Sequence, residues 1–584
     1  MSTSPPTSPA VTPPLLRDVW PDRATYRPGE RVHIHVDLSN DGTMYRHIVL
    51  DLRLLWLDEV VGDHHYRVTV PPGGDRIALS VSAPHDSFRG YGLDLALRDG
   101  DDSPILEHGS TAFDVLEDWT QAPRYGFLSD FTPGTLDPTT AVDTLARYHI
   151  NVVQFYDWMW RHYALMPPRD DFADALGRAL SLRVVRDKVA ACRAWGMGAL
   201  GYAAVYGAEP EYALEHPDEV LYDAAGEPYS LGKLFYIMNI HAGNPWRARI
   251  LTEMARAVRE VPFDGLHLDQ YGFPKEGAFG PKPRAEPYHL SADFPSFIND
   301  ARAVVRRAAA GARVIFNAVD NWPIEAVAPT TQDATYIEVW PPYDDYGDLQ
   351  TLILEARRLA PSKQVILAAY VAPLRGVAAA DLPAAEATTR LVSAAIWANG
   401  GFHLLLGETN AALCDPYYPA YATLTPDFAR VMRRYYDFVV RYENVLSDPN
   451  LVTVLGVGSL DGAPASPAGE PGAVWMIART MPSLHTVSLI NLSRATHARW
   501  NALQPPPRPL LDLEIEVRVD GWVESVFAAS PDGDRGAPQR LTHEAHHHEG
   551  TTRVCMCLPR LDYWTLIVVK LAHDGAAVEG GHHD

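Results

Sequence analysis

Between residues 119 and 443, eight short apolar runs ending in polar or aromatic residues alternate with long stretches of helical periodicity. The runs fall at 125–131, 152–156, 197–202, 265–269, 314–317, 335–339, 365–370 and 402–406. The stretches between them include Ala190-Ala-Cys-Arg-Ala-Trp195 and Arg247-Ala-Arg-Ile-Leu-Thr-Glu-Met-Ala-Arg256. Strands separated by helices point to parallel pairing. Eight such units within one segment are what a closed (β/α)8 TIM barrel requires, more than a doubly wound open sheet needs.

The flanks have another texture. From 15 to 118 the chain reads as short strands broken by Asp41-Gly42, Pro71-Pro-Gly-Gly74 and Asp99-Gly100. In Arg31-Val-His-Ile-His-Val-Asp-Leu38, Val32, Ile34, Val36 and Leu38 are expected to face a core, while His33, His35 and Asp37 face solvent. A small antiparallel β-sandwich follows from that pattern. Residues 444–572 return to strands, expected at 451–457, 473–477, 486–492, 513–519 and 563–569, which predict a second antiparallel sandwich. A Pro-rich leader (1–14) and a polar tail (573–584) complete a five-part division, with the catalytic segment at 119–443.

At 584 residues, one hydrophobic core cannot serve the whole chain. The 73 acidic residues outnumber 50 basic ones, for a net charge of −23. Such a field repels phosphate backbones, which argues against a nucleic-acid partner, whereas an uncharged sugar polymer meets no such barrier. No apolar run approaches the roughly 20 residues of a membrane span. The N-terminus has no basic start followed by an apolar stretch, so the expected compartment is the cytoplasm, unless a signal has been removed. Four cysteines make no disulfide framework; buried free thiols are expected for Cys192, Cys414, Cys555 and Cys557, the last two sharing one strand face.

Chemistry is expected at the C-terminal ends of the eight strands. In Phe263-Asp-Gly-Leu-His-Leu-Asp-Gln-Tyr-Gly272, alternation turns Leu266 and Leu268 outward and Gly265, His267 and Asp269 inward, which puts Asp269 at the rim. An aspartate that merely capped a helix would have that helix begin at once. Gly272, Pro274 and Gly277 instead keep the chain in a loop. In Thr335-Tyr-Ile-Glu-Val-Trp-Pro-Pro342, Glu338 shares the face of Tyr336 and ends its strand beside Trp340, where apolar rings raise a carboxyl pKa. Two carboxylates on one rim suit glycosidic cleavage, with Asp269 as nucleophile and Glu338 as general acid/base. Tyr156, Asp157, Trp158, Trp160, His162, Tyr202, Tyr206, His267, Gln270, Trp340, Glu408 and Asn410 supply rings to stack on sugars and polar groups for their hydroxyls. This chemistry calls for no metal and no cofactor.

The same blocks carry a resemblance. Phe263-Asp-Gly-Leu-His-Leu-Asp-Gln-Tyr-Gly272 resembles the nucleophile segment of glycoside hydrolase family 66, and Tyr336-Ile-Glu-Val-Trp340 resembles its acid/base segment. Gln154-Phe-Tyr-Asp-Trp-Met-Trp-Arg-His162, Asn239 and Gly400-Gly-Phe-His-Leu-Leu-Leu-Gly-Glu-Thr-Asn410 look like further shared blocks. The resemblance implies an immunoglobulin-like sandwich, a barrel and a Greek-key sandwich. It also implies retaining action on α-1,6-glucan, as an endo-dextranase or a cycloisomaltooligosaccharide glucanotransferase. Cyclising members of the family typically carry a sugar-binding module after strand seven. Only about 30 residues separate Tyr370 from Phe402 here, which favours hydrolysis.

Two competing patterns are weaker. His543-Glu-Ala-His-His547 matches the HExxH zinc motif, which needs both histidines on one helical face and a third ligand. The motif is expected in a solvated loop of a β domain. A non-catalytic glucan-binding protein would keep the aromatics and lose a carboxylate, and both carboxylates are present.

Overall fold

The computed structural model describes residues 14–279, 288–416, 419–454, 458–533 and 535–572. The leader up to residue 13 and the tail from 573 lie outside the described residues. The central segment is built on one curled sheet in which eight strands run parallel: β1 (Tyr125–Leu128), β2 (Val152–Phe155), β3 (Gly198–Ala204), β4 (Gly265–Asp269), β5 (Arg313–Val319), β6 (Ala334–Glu338), β7 (Val365–Ala368) and β8, which runs as Phe402–His403 and Leu406–Gly407, with Ala411–Asp415 and Ala420–Thr423 added antiparallel beside β8. All eight coincide with the apolar runs of the sequence. Each strand pairs with the next, and β8 pairs with β7 at Phe402 and with β1 at Gly407. The sheet therefore returns to its own first strand.

Two apolar layers follow from the two-residue period of the strands. Val152, Leu200, Ile315, Tyr336, Ile366 and Phe402 pack together inside the curl. Val153, Leu266, Leu268, Val314, Phe316, Ile337 and Leu367 pack outward, in the cluster that holds the helices. Those helices include Leu182–Ala194, Pro245–Glu260, Phe294–Ala308, Tyr346–Leu359, Leu382–Ala398 and Pro426–Arg441. Gly265 opens β4 where nothing larger fits, since a Cβ there would stand 2.0 Å from the Arg313 carbonyl oxygen of β5.

The N-terminal module is two facing sheets. Arg31–Leu38 pairs with Leu16–Pro21 and Asp75–Ser82, and Arg46–Trp56 and Arg89–Arg98 form the centre of a four-stranded sheet. Val32, Ile34, Val36 and Leu38 are fully buried between them, with His33 exposed, as the alternation predicts. The C-terminal module is likewise two sheets enclosing Val487, Leu489, Ile515, Val517, Val554, Met556 and Val569.

Two expectations for this module are corrected. The HExxH segment is not in a loop: His543–His548 is a strand paired with Thr551–Leu561. His543 and His547 are then about 13 Å apart along the strand, too far to share one metal ion. His547 instead stacks on Trp522, with ring centroids 3.9 Å apart. Among the described residues, no group of three or more His, Cys, Asp or Glu is arranged to hold a metal. Cys555 and Cys557 are not buried, because Val554, Met556 and Leu558 take the core face and leave the thiols on the solvent side. Cys192 and Cys414 are buried free thiols.

Buried charge joins the N-terminal module to the central sheet. Arg124, just before β1, is 2% exposed. Its guanidinium reaches Asp114 at 2.7 Å and Glu443 at 2.5 Å, and donates to the carbonyls of His149 and Ala24. Burial drives the Glu443 pKa well up, opposed by Arg124. Arg124→Met should leave two carboxyl groups buried without a cation, costing about 3–5 kcal/mol. Thermal melts should show a large drop, whereas Arg23→Ala, at an exposed pair with Glu30, should change little. Equal melting temperatures for the two variants would refute this role for Arg124.

Candidate active site

A cavity of about 310 Å³ opens at the C-terminal ends of the parallel strands. Asp269 closes β4 and Glu338 closes β6, with β5 between them. The residue that joins them is Asn317 of β5. Its Nδ2 donates to Asp269 Oδ1 at 2.8 Å and to Glu338 Oε2 at 2.8 Å. The two oxygens are thus no more than twice 2.8 Å apart. Amide hydrogens that diverge by about 120° put them about 5 Å apart. The outer oxygens are also held: the Tyr202 hydroxyl donates to Asp269 Oδ2 at 2.8 Å, and the Tyr370 hydroxyl to Glu338 Oε1 at 3.0 Å.

Both carboxyl groups have raised pKa values. Burial is the main cause for each; for Glu338 the neighbouring Asp269 charge adds to it, and the pair titrates as a unit. Hydrogen bonds from Tyr202 and Asn317 partly offset the rise at Asp269. The pair therefore holds its last proton in common up to a pH well above the ordinary carboxylate range. Beneath them His267 is buried and neutral, its pKa lowered to about 3 by desolvation, with Nδ1 2.9 Å from the Tyr125 hydroxyl.

The far wall of the cavity is ionic. Asp157, in a left-handed conformation at φ 49°, stands 3.3 Å from Arg178, which also binds Asp174. His162 pairs with Glu209 at 3.0 Å, and its pKa is raised by Glu209 against the opposing, larger effect of burial. The connection after β3 adds Leu231, Gly232, Leu234 and Phe235 to the cavity wall.

Of the residues read from the sequence, Tyr156, Asp157, His162, Tyr202, His267, Asp269, Gln270 and Glu338 line this cavity. The others sit elsewhere. Trp158 is fully buried, packs on Phe263 and donates from Nε1 to the Tyr202 carbonyl at 3.1 Å. Trp160 lies under the Arg161 guanidinium. Tyr206 receives the Tyr271 N–H at 2.7 Å and so braces the loop after β4. Asn239 accepts the His241 N–H at 2.9 Å. Glu408 accepts two backbone N–H groups, from Ser129 and Asp130, and Asn410 accepts the Tyr148 hydroxyl. Trp340 lines a neighbouring cavity. Sequence reasoning missed Asn317, Tyr370, Arg178 and Tyr271. Asn317 and Tyr370 were the last residues of two predicted runs, so the strand-end criterion applied to both acids would have found them.

This fold and paired-carboxylate site define a glycoside-hydrolase-type enzyme. The chain belongs to glycosyl hydrolase family 66, whose sequence profile matches residues 21–568. It is 24% identical to a cycloisomaltooligosaccharide glucanotransferase of Niallia circulans over 705 aligned positions, covering 95% of this chain and 72% of the relative. It is 22% identical to a dextranase of Streptococcus salivarius, covering 90% of this chain and 73% of that enzyme. The crystal structure of a Paenibacillus sp. cycloisomaltooligosaccharide glucanotransferase complexed with cycloisomaltoheptaose superposes with a TM-score of 0.87 at 23% identity, over 95% of this chain and 99% of that one. The overall fold is thus close to that of this enzyme.

The raised pKa values carry a stability consequence. An acid that is harder to ionise when folded binds more protons in the folded state. Its destabilising effect appears as pH rises from the unfolded values near about 4 and is complete above the folded ones. Asp269→Asn removes one such charge and relieves Glu338. Its melting temperature relative to wild type should therefore rise by about 2 °C between pH 5 and pH 8. A relative melting temperature that falls over this range would show that the Asp269 charge stabilises the fold.

Proposed function

We propose that the protein is a retaining endo-dextranase that hydrolyses α-1,6-glucosidic bonds of dextran and isomaltooligosaccharides. In this reading the curled sheet is a (β/α)8 barrel spanning 119–443, between an immunoglobulin-like sandwich (15–118) and a Greek-key sandwich (444–572). The observation that carries it is the Asn317 amide, which holds two carboxyl groups about 5 Å apart, the spacing of a nucleophile and acid/base in double displacement. Asp269 attacks the anomeric carbon while Glu338 gives its proton to the departing oxygen. Water then attacks the same carbon, returns a proton to Glu338 and releases Asp269. Burial raises both carboxyl groups, so the pair keeps one proton near neutral pH, and this sequence of steps needs that proton on Glu338.

Intramolecular transfer, giving cyclic isomaltooligosaccharides, is the second reading, favoured by the names of two of the relatives. Two observations weigh against it. Residues 371–401 are taken up by a short turn, Ala372–Leu374, and the helix Leu382–Ala398. The alignment with the Niallia circulans enzyme runs over 705 positions although this chain has 584 residues, so over a hundred residues of that relative have no counterpart here. A glucan chain whose far end is not held near the site closes on itself rarely.

Asp269→Asn should cut the initial rate on dextran by about 1000-fold or more, with the fold retained. In Glu338→Gln an activated aryl isomaltoside should lose far less rate than dextran, and azide should restore turnover as a glycosyl azide. An Asp269→Asn rate within tenfold of wild type, or equal losses on both substrates in Glu338→Gln, would remove the assigned roles. Product form decides between the two readings. Mass spectra should show mainly linear isomaltooligosaccharides, and products one water lighter would establish cyclisation instead.

A further inference from the structure

The helix Pro426–Arg441 carries Arg430, Arg433, Arg434 and Asp437 at the i, i+3, i+4 and i+7 positions that make one helical face. That face lines a cavity of about 310 Å³. The strand Leu16–Pro21 and residues 108–110 of the N-terminal module form its opposite wall, and Arg535 of the C-terminal module closes one side. All three modules therefore meet around one space, and none of its lining residues belongs to the active-site cavity. Arg17 completes a set of five arginines around it.

Only two carboxylates, Asp18 and Asp437, face those five guanidinium groups from the cavity wall, and both are already in use. Asp18 is shared between Arg433 at 2.9 Å and Arg147 at 2.7 Å. Asp437 Oδ1 lies 2.8 Å from His149 Nε2 and accepts the Thr111 hydroxyl at 2.9 Å. Arg430 has its partner, Asp427, outside the wall. Neither Arg17 nor Arg434 makes an ion pair among the described residues; Arg17 donates to the Ser39 hydroxyl at 3.1 Å, and Arg434 is exposed. The positive field reaches the neighbouring Arg147, whose pKa is lowered by burial and further by the Arg433 and Arg76 charges, against the pull of Asp18. Like charges on one helical face cost stability. The helix dipole gives little back, because Arg434 stands about two turns before the helix ends. A chain of net charge −23 thus concentrates uncompensated positive charge at one joint.

We propose that this cavity is an anion site that takes a phosphate group, either the free ion or the phosphate of a small phosphorylated sugar. Guanidinium groups present paired N–H donors that match phosphate oxygens, and a phosphate monoester brings about two negative charges on three acceptors. A lone carboxylate would leave most of the excess charge unanswered. The volume is near the small end of ligand pockets, enough for a phosphate with one sugar ring. Ser110 and His108 add polar groups that suit the hydroxyls of such a ring. A bound phosphate answers to arginines from all three modules and so draws the strand Leu16–Pro21, the helix and Arg535 together. Its occupancy raises the stability of the whole chain, since only the folded joint assembles the site. The proposal is independent of the chemistry at Asp269 and Glu338.

The test is calorimetric titration of the full chain at low ionic strength with inorganic phosphate and with glucose 6-phosphate. Wild type should bind one anion per chain saturably. Tighter binding of glucose 6-phosphate identifies a phosphorylated sugar as the ligand, and equal or tighter binding of inorganic phosphate identifies the free ion. Arg434→Ser and Arg430→Ser should each weaken both anions by about tenfold, the loss expected for a charge-assisted hydrogen bond. Without anion, Arg434→Ser should melt no lower than wild type, because it removes one member of a repelling set. Added phosphate should raise the wild-type melting temperature more than that of the variant, since the general effect of the salt acts on both alike. Absence of saturable binding below about 10 mM in wild type overturns the site. So do affinities within twofold of wild type in the two folded variants. Turnover of dextran decides the hydrolase reading separately.

Discussion

The backbone pairing of Gly407 in β8 with Phe127 in β1 is the constraint on which the rest of the molecule depends. A sheet that returns to its first strand leaves no open edge along those strands and divides every strand into an inner and an outer set of side chains. The inner set must fill a small space, and it does so with rings: Tyr125, His267 and Tyr336 meet edge to face or tilted at 4.7–6.0 Å. Two residues further along, at the ends of β4 and β6, the next inward residues are Asp269 and Glu338. Above that filled floor Glu338 is buried and Asp269 half-buried at the cavity.

That burial creates an electrostatic problem which the site solves locally. Two carboxylates about 5 Å apart in a low-dielectric pocket oppose each other's ionisation. One uncharged residue, Asn317, gives a hydrogen to each and so lowers the cost of the first ionisation without adding a charge that would favour the second. A lysine in its place would stabilise both anions and lose the proton that an acid must hold. Tyr202 and Tyr370 complete the arrangement by fixing the outer oxygens, so neither carboxyl group can rotate away.

The strands were legible in the sequence because a buried strand is a short apolar run with a clear end, and eight such ends are hard to arrange otherwise. Asp269 and Glu338 were legible for the same reason, since the two-residue period says which way each points. What lay beyond the ends was not legible. Once the period stops, residue type does not say which way a side chain turns: Trp158 turned into the core and Glu408 turned back to bind the N–H groups of Ser129 and Asp130. Arg178 reaches the cavity from the chain between β2 and the helix Leu182–Ala194, a contact that depends on the path of a long connection. The thiols of Cys555, half-buried, and Cys557, exposed, show the opposite case. The period was visible there, but the face was assigned by residue type when the apolar set Val554, Met556 and Leu558 determines it.

The two flanking modules are attached in different ways, and the difference bears on the site. The N-terminal joint centres on a buried guanidinium shared by two carboxyl groups, together with Arg441, which reaches Asp94 at 2.7 Å while 2% exposed. Such contacts tolerate little displacement, because a buried charge that loses its partner is strongly destabilising. The C-terminal joint adds a broad aromatic contact, Trp564 against Trp397, Tyr435 and Phe438, to an Arg390–Asp532 pair. Apolar contact supplies area, and the ionic pair supplies register. Asp532 also accepts the Tyr435 hydroxyl and the backbone N–H groups of Tyr563 and Trp564, so one carboxylate ties a helix of the central segment to a strand of the module. With both modules held in register, residues 339–344 and the turn Ala372–Leu374 are clamped between the strand ends and the segment around Trp500. The wall beside Glu338 is thereby anchored by the Trp500 Nε1–Tyr343 carbonyl and Ala372 N–H–Asn501 hydrogen bonds, and a wall held in place before binding spares a ligand the cost of ordering a loop.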